Sequence, residues 1–280
     1  MNPLWLAIER LHRCSLTQVL ELLVMQEGHK PAVRLVIDDH ELPLLKDAVE
    51  GEGLYLGKAR VRLREVLDTE TGDIFTVSDD SCGSISGAFA VFVSPEPDLA
   101  RHLAEAESDG ETSVQLGRLL GLPDCCTASY VLLQTGKNWL EVWGADLSGG
   151  PFDAHANHLA SFGSGVSPAG EYMPCSPRCR GTADRARLAI TIGRRHGFGG
   201  LVDRWESWAT CSAIVVDRTA LLLSPPGDAC FFRVGEPRPD LEQMIQSNHK
   251  SDLGKTAEIG RRVDFRTFIG RSEEFKFRQT

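Results

Sequence analysis

Four cysteines in two short motifs carry the clearest chemistry in the chain. Cys125 and Cys126 are adjacent, in Leu120-Gly121-Leu122-Pro123-Asp124-Cys125-Cys126. Cys175 and Cys179 follow in Pro174-Cys175-Ser176-Pro177-Arg178-Cys179. Pro123 stands where a first helical residue would, so Cys125 and Cys126 fall in the opening turn of a helix over Thr127 to Gln134. Ser176 is an N-cap candidate and Pro177 the first residue of a helix running to His196. Cys175 then precedes that helix and Cys179 lies just inside it. A helix start offers partial positive charge and free N–H groups, which favour thiolate over thiol. A thiolate is what binds metal and what attacks an electrophile. Four soft ligands suit zinc or an iron–sulfur cluster, whereas magnesium or calcium would want oxygen.

Spacing separates the two soft-metal options. A zinc ribbon carries two Cys-x-x-Cys knuckles, and this chain has an adjacent pair and a Cys-x-x-x-Cys instead. Adjacent cysteines reach one small tetrahedral ion with difficulty, while a cluster with separate iron atoms accepts them more readily. The expectation is therefore a 4Fe–4S cluster on Cys125, Cys126, Cys175 and Cys179, with zinc as the alternative. His155 and His158 stand three apart on a helix predicted over Phe152 to Phe162, where they would share a face. They are the candidate catalytic pair, for proton transfer or for completing the metal site, with Asp153 and Asn157 as polar companions. Cys14, Cys82, Cys211 and Cys230 are isolated and read as core thiols. The leading functional expectation is a cluster-dependent enzyme acting on a small molecule, with one iron left open as a Lewis acid if only three cysteines bind. A structural-zinc scaffold and a metal-free thiol enzyme remain as alternatives.

The elements that must position these groups form a mixed α+β fold. Residues 1 to 30 read as helical, with Ser15 or Thr17 as cap and Gly28 as stop. Strands follow at Val33 to Ile37, Leu54 to Leu67, Ile74 to Val77 and Ala88 to Val93, with a helix over Glu41 to Val49. In the long strand Leu54, Leu56, Val61 and Leu63 should face inward and Arg60, Arg62 and Arg64 outward. Ser94 caps the next predicted helix, which ends at Asp109-Gly110. A further helix starts at Thr112 or Ser113 and breaks at Gly121. Loops are expected over 136–150, with Trp139 and Trp143, and over 163–170. A short strand is expected at Glu171 to Met173. Gly197 ends the helix that carries Cys179, and a shorter helix spans Val202 to Ala209. A hairpin over Cys211 to Val216 and Thr219 to Leu223, a strand at Phe231 to Val234 and a helix over Asp240 to Asn248 complete the chain. Three units result: an N-terminal α/β unit (1–93), a helical cysteine-bearing region (94–210), and C-terminal strands with a helix and a mildly basic tail (211–280).

Composition narrows the partners. Hydrophobic residues make up 42% and charged residues 25% of 280 residues, ordinary globular values. A net charge of -9 opposes broad nucleic-acid binding. Apolar runs are too short to span a bilayer, and the start has no signal-peptide pattern. A cytoplasmic protein with a small-molecule substrate is expected, with its eight cysteines reduced or bound to metal. The pattern leaves the oligomeric state open.

The run Leu116-Gly117-Arg118-Leu119-Leu120-Gly121-Leu122-Pro123-Asp124-Cys125-Cys126, with the later Pro174-Cys175-Ser176-Pro177-Arg178-Cys179, resembles a family of prokaryotic proteins of unsettled activity. These share Leu-Gly-x-Pro-x-Cys-Cys and Pro-Cys-Ser-x-x-Cys motifs. The resemblance covers about residues 85 to 200 and implies a shared site on the four cysteines. Leu122 replaces a frequent aromatic of that pattern and Arg178 a small or acidic residue.

Overall fold

The computed structural model describes residues 3–8, 10–11, 14–67, 74–78, 88–110, 113–134, 153–209, 213–216, 219–223, 231–235 and 261–263. The expectations for Cys82, Trp139, Trp143, Cys211, Cys230 and the helix over Asp240 to Asn248 fall outside these residues.

The N-terminal helical stretch is two helices, α1 (Pro3–Ile8) and α2 (Leu16–Gln26). Ser15 starts α2 with a reciprocal cap: its hydroxyl accepts the Gln18 N–H, and the Gln18 side chain accepts the Ser15 N–H. Strand β1 (Val33–Ile37) leads through a short turn to α3 (Leu42–Gly51). Strands β2 (Tyr55–Leu67), β3 (Ile74–Ser78) and β4 (Ala88–Ser94) complete an antiparallel sheet in the order β1-β4-β2-β3.

The apolar residues expected on one inward face of β2 divide between two faces: Leu54 and Leu56 pack on one side of the sheet, Ala59 and Leu63 on the other. A register shift lies between Lys58, opposite Val91, and Arg62, opposite Phe89. It amounts to two residues, so the alternation of faces continues through it.

Strand β4 is the hub, and every residue in it is buried. Phe89, Val91 and Val93 face one core, which takes Leu20 and Leu23 of α2, Val49 of α3, and Leu35 of β1. Ala90 and Phe92 face a second core with Ala59, Leu63, Leu103 and Leu120. A strand covered on both sides reads as a continuous apolar run, which is the pattern of Ala88-Phe89-Ala90-Val91-Phe92-Val93. The first core also holds Ala189, Ile192 and Trp205 from helices far along the chain.

The helices after β4 are α4 (Pro97–Ser108), α5 (Ser113–Leu119), α6 (Asp124–Gln134), α7 (Leu159–Ser164), α8 (Arg180–Arg195) and α9 (Gly199–Ala209), of which α8 and α9 supply those core residues. Helix α4 starts after Glu96 rather than Ser94. The Ser94 hydroxyl instead accepts the Glu96 N–H and donates to the Pro31 carbonyl, tying the end of β4 to the start of β1. Glu171 to Met173, expected as a strand, is irregular. The C-terminal strands β5 (Ala213–Val216), β6 (Thr219–Leu223), β7 (Phe231–Gly235) and β8 (Arg261–Val263) form a second antiparallel sheet, ordered β7-β6-β5-β8. The hairpin expected between β5 and β6 is present, with Val216 paired to Thr219. The fold is mixed α+β, as the pattern of elements implies. Among the described residues no helix is long and apolar enough to cross a membrane.

Candidate metal centre

The site is made where the starts of α6 and α8 meet. Helix α5 closes at Gly121, whose φ of 70° is the left-handed conformation that glycine adopts without strain. The Gly121 N–H bonds to the Arg118 carbonyl and the Leu122 N–H to the Gly117 carbonyl, a Schellman closure. Pro123 follows, and α6 begins at once with Asp124, Cys125 and Cys126. The chain therefore reverses between α5 and α6 within a few residues. The Arg185 guanidinium of α8 donates to the Gly121 carbonyl and pins this corner.

Helix α8 begins at Arg180, not near Pro177, and Cys179 is its N-cap. Its sulfur accepts the Thr182 N–H at 3.4 Å. Ser176 does cap, but it caps a tight turn upstream. Its hydroxyl accepts the Arg178 N–H, and its carbonyl accepts the Cys179 N–H. That turn folds Cys175 back over the helix start. Gly181 makes the encounter of α8 with Pro123 possible. A Cβ at Gly181 would sit 3.0 Å from Pro123 Cβ and 3.2 Å from its Cγ, tighter than most carbon contacts.

As a result the four sulfurs of Cys125, Cys126, Cys175 and Cys179 all lie within 4.8 Å of one another. Cys125 Sγ is 4.0 Å from Cys126 Sγ and 3.6 Å from Cys179 Sγ, and Cys126 and Cys179 are 3.4 Å apart. Cys126 and Cys179 are buried, Cys175 is half-buried and Cys125 is exposed. Around them stand polar supports. Cys126 Sγ accepts the Cys175 N–H at 3.4 Å and lies 3.4 Å from Thr182 Oγ1. The Tyr172 hydroxyl donates to Thr182 Oγ1 at 3.1 Å. Such a cluster can hold a metal ion or a metal cluster.

Hydrogen bonds from the Cys126 and Cys175 thiols, helped by the Thr182 hydroxyl and N–H, hold Cys179 well below the usual thiol range. Cys175 is driven up by its Cys126 and Cys179 neighbours and by burial. Cys126 is drawn down by Cys175, but Cys179 and burial outweigh this and push it to about 12. Crowded like charges exclude each other, so these sulfurs do not all ionise at once. A soft dication removes that repulsion.

The histidines lie beside this centre, not in it. Residues 152–162 do not form one helix. Asp153 caps a 3₁₀ turn at Ala154–Ala156, and α7 starts only after His158. Short polar side chains that bond the nearby backbone compete with helix, and Asp153 does so here. Its Oδ1 accepts both the N–H and the Nδ1–H of His155, each at 3.0 Å. Its Oδ2 accepts from Arg187. A carboxylate only accepts, so the His155 Nδ1 bears a proton. Burial pushes the Asp153 carboxyl up, but its bonds from His155 and the nearby Arg187 hold it below the ordinary range. The Asp153 N–H bonds to the Pro177 carbonyl, which ties this turn to the second cysteine motif.

His155 and His158 line one cleft together with Asn157, Pro174, Thr182 and Trp205. Pro174 precedes Cys175, and Thr182 touches the sulfurs, so the cleft adjoins the thiolate site. Asn157 is buried, and its Nδ2 donates to the Ala209 carbonyl. That bond fixes the amide, and among the described residues no donor reaches its buried Oδ1.

Thr182, Tyr172 and Gly181 carry the site without having stood out in the sequence. The one available signal was the spacing of Cys179 and Thr182, that of an N-cap and its third helical residue. Elsewhere Cys14 is a partly buried thiol pushed up to about 12 by burial and by Glu171 and Glu41, in keeping with a core role. Arg194 pairs with Asp203 and Glu206, while Arg195 and His196 pair with Glu27, all at the surface.

Two outcomes are expected. Gly181→Val forces α8 off Pro123 and should weaken metal binding by about tenfold or more, measured by chelator competition, with Gly181→Ala intermediate; equal affinity in all three contradicts the close approach. His158 is lowered from 6.5 to about 4 by burial of its ring. The unfolded chain then binds a proton between those values that the folded chain refuses, so stability falls as pH drops from 6.5 toward 4. Denaturant midpoints of His158→Gln should lose that part of the pH slope, worth up to about 3 kcal/mol; an unchanged slope contradicts it.

No protein family, curated protein or solved structure matches the chain.

Proposed function

We propose that the chain is a zinc metalloprotein in which Cys125, Cys126, Cys175 and Cys179 hold one tetrahedral ion that locks α6 to α8. The spacing of the sulfurs carries this reading. With Zn–S bonds of about 2.3 Å, the edge of a thiolate tetrahedron is about 3.8 Å. The separations among Cys125, Cys126 and Cys179, 3.4, 3.6 and 4.0 Å, straddle that value, and Cys175 Sγ lies within 4.8 Å of the other three. In a four-iron cluster each thiolate binds a different iron, and the sulfurs stand roughly 6 Å apart. Adjacent cysteines serve one ion here because both side chains leave the first turn of a helix toward the same partner.

A closed four-thiolate set is the pattern of a structural zinc, which supplies charge neutralisation and folding free energy. The adjoining cleft has a volume of about 10 Å³, room for about one water, which His155, held by Asp153, and Asn157 Oδ1 can bind. The exposure of Cys125 is what favours the second reading, an iron–sulfur enzyme with one approachable ligand position.

Metal analysis on protein purified without oxygen decides between them. The zinc reading expects about one zinc per chain, a colourless protein, and release of about two or more protons on loading the apo-protein, from Cys126 and Cys175. Chelation should lower the melting temperature. A brown, iron-bearing protein whose colour is lost in Cys126→Ala establishes the second reading, and a chain with neither metal overturns both.

A further inference from the structure

The four sulfurs are not equivalent. Cys179 Sγ accepts a backbone N–H from Thr182, and Cys126 Sγ accepts one from Cys175 and touches the Thr182 hydroxyl. Both are buried. Hydrogen bonds to a thiolate stabilise the charge that would attack, and burial keeps an electrophile out. Cys125 differs on both counts. It is exposed, and among the described residues no backbone N–H or hydroxyl bonds to its sulfur; the sulfurs of Cys126 and Cys179 stand at 4.0 and 3.6 Å, with Cys175 Sγ within 4.8 Å. Of Cys126 and Cys179, Cys179 is the closer at 3.6 Å, and it lies on another helix. Cys126 is the next residue, where a disulfide ring is strained.

We propose that Cys125 is the reactive ligand of this centre, a site of oxidation by hydroperoxides at which disulfide formation with Cys179 releases the ion. The inference rests on the zinc reading above. The Cys125 thiolate attacks a peroxide oxygen; an S–O bond forms, the O–O bond breaks, and water or an alcohol leaves. Sulfur loses two electrons to become a sulfenic acid, and the peroxide gains them. The Cys179 thiolate then attacks that sulfur; an S–S bond forms, the S–O bond breaks, and hydroxide leaves. The ion keeps two of its four ligands and departs as a dication, with no change in its own oxidation state. Release frees the start of α6 from the start of α8, and with it the wall of the cleft that Thr182 and Pro174 provide. A thiol reductant reverses the step by thiol–disulfide exchange.

The test uses the zinc-loaded full chain and hydrogen peroxide, with a chromogenic chelator to read zinc and peptide mapping to locate the oxidised sulfurs. The expected result is about one zinc released per peroxide consumed, a disulfide between Cys125 and Cys179, and recovery of zinc binding after reduction. Cys125→Ser should slow release by about tenfold or more. Cys179→Ser should leave a sulfenic acid at Cys125 that dimedone traps, which keeps the assignment testable should the first variant fold poorly. Undiminished release from Cys125→Ser, or first oxidation mapped to Cys126, Cys175 or Cys179, overturns the proposal. A preparation that holds no zinc sinks the metal reading instead; the mapping still decides whether Cys125 is oxidised first.

Discussion

Two helix starts are pressed together, and the rest of the cysteine-bearing half follows from that contact. Helix α8 approaches Pro123 through Gly181, where a side chain would collide. Arg185, one turn further along α8, holds the Gly121 carbonyl that closes the helix before. The positive ends of α6 and α8 thus converge on a small volume. Nothing neutral fills it: the volume is lined by sulfur. Four thiols so close cannot all ionise; Cys179 is held low chiefly by the Cys126 and Cys175 thiols, with the Thr182 contacts of its helix cap helping. A cation bound there would let more of the thiols ionise.

That contact also explains why the sheet matters to the site. The late helices share a core with β4, through Ala189, Ile192 and Trp205 packed with Phe89, Val91 and Val93. Helix α8 therefore has one face in the main core and its N-terminus at the sulfurs. Opposite, Leu120 sits in the second core with Phe92 and Leu103, which fixes the turn before α6. The two motifs are far apart in sequence, but each is anchored to a different face of the same strand. The sulfurs meet because β4 has helices on both sides.

Much of this was legible beforehand, and the failures have physical causes. The strands, the stops at Gly28, Gly121 and Gly197, and the helix-start placement of the cysteines followed from periodicity and cap chemistry. The true cap of α8 did not. Ser176 and Pro177 are the stronger cap signals in isolation, but Ser176 spends its hydroxyl on a local turn, and a cysteine does the capping because its sulfur is needed there. The shared helix face for His155 and His158 failed because Asp153 takes the backbone N–H that a helix would have used. The histidines still face one cleft, by way of a turn that spacing rules do not describe. Leu54 and Leu63 of β2 face opposite cores because the sheet is covered on both sides, which alternation within one strand does not reveal.

The zinc proposed for the site would be bound equally by sulfur from the two motifs. X-ray absorption at the metal edge of the freshly isolated protein measures this directly. The result predicted is a zinc edge with a single shell of about four sulfurs near 2.3 Å and no metal–metal scattering. An iron edge with short iron–iron scattering, or a zinc shell dominated by nitrogen and oxygen, would contradict it.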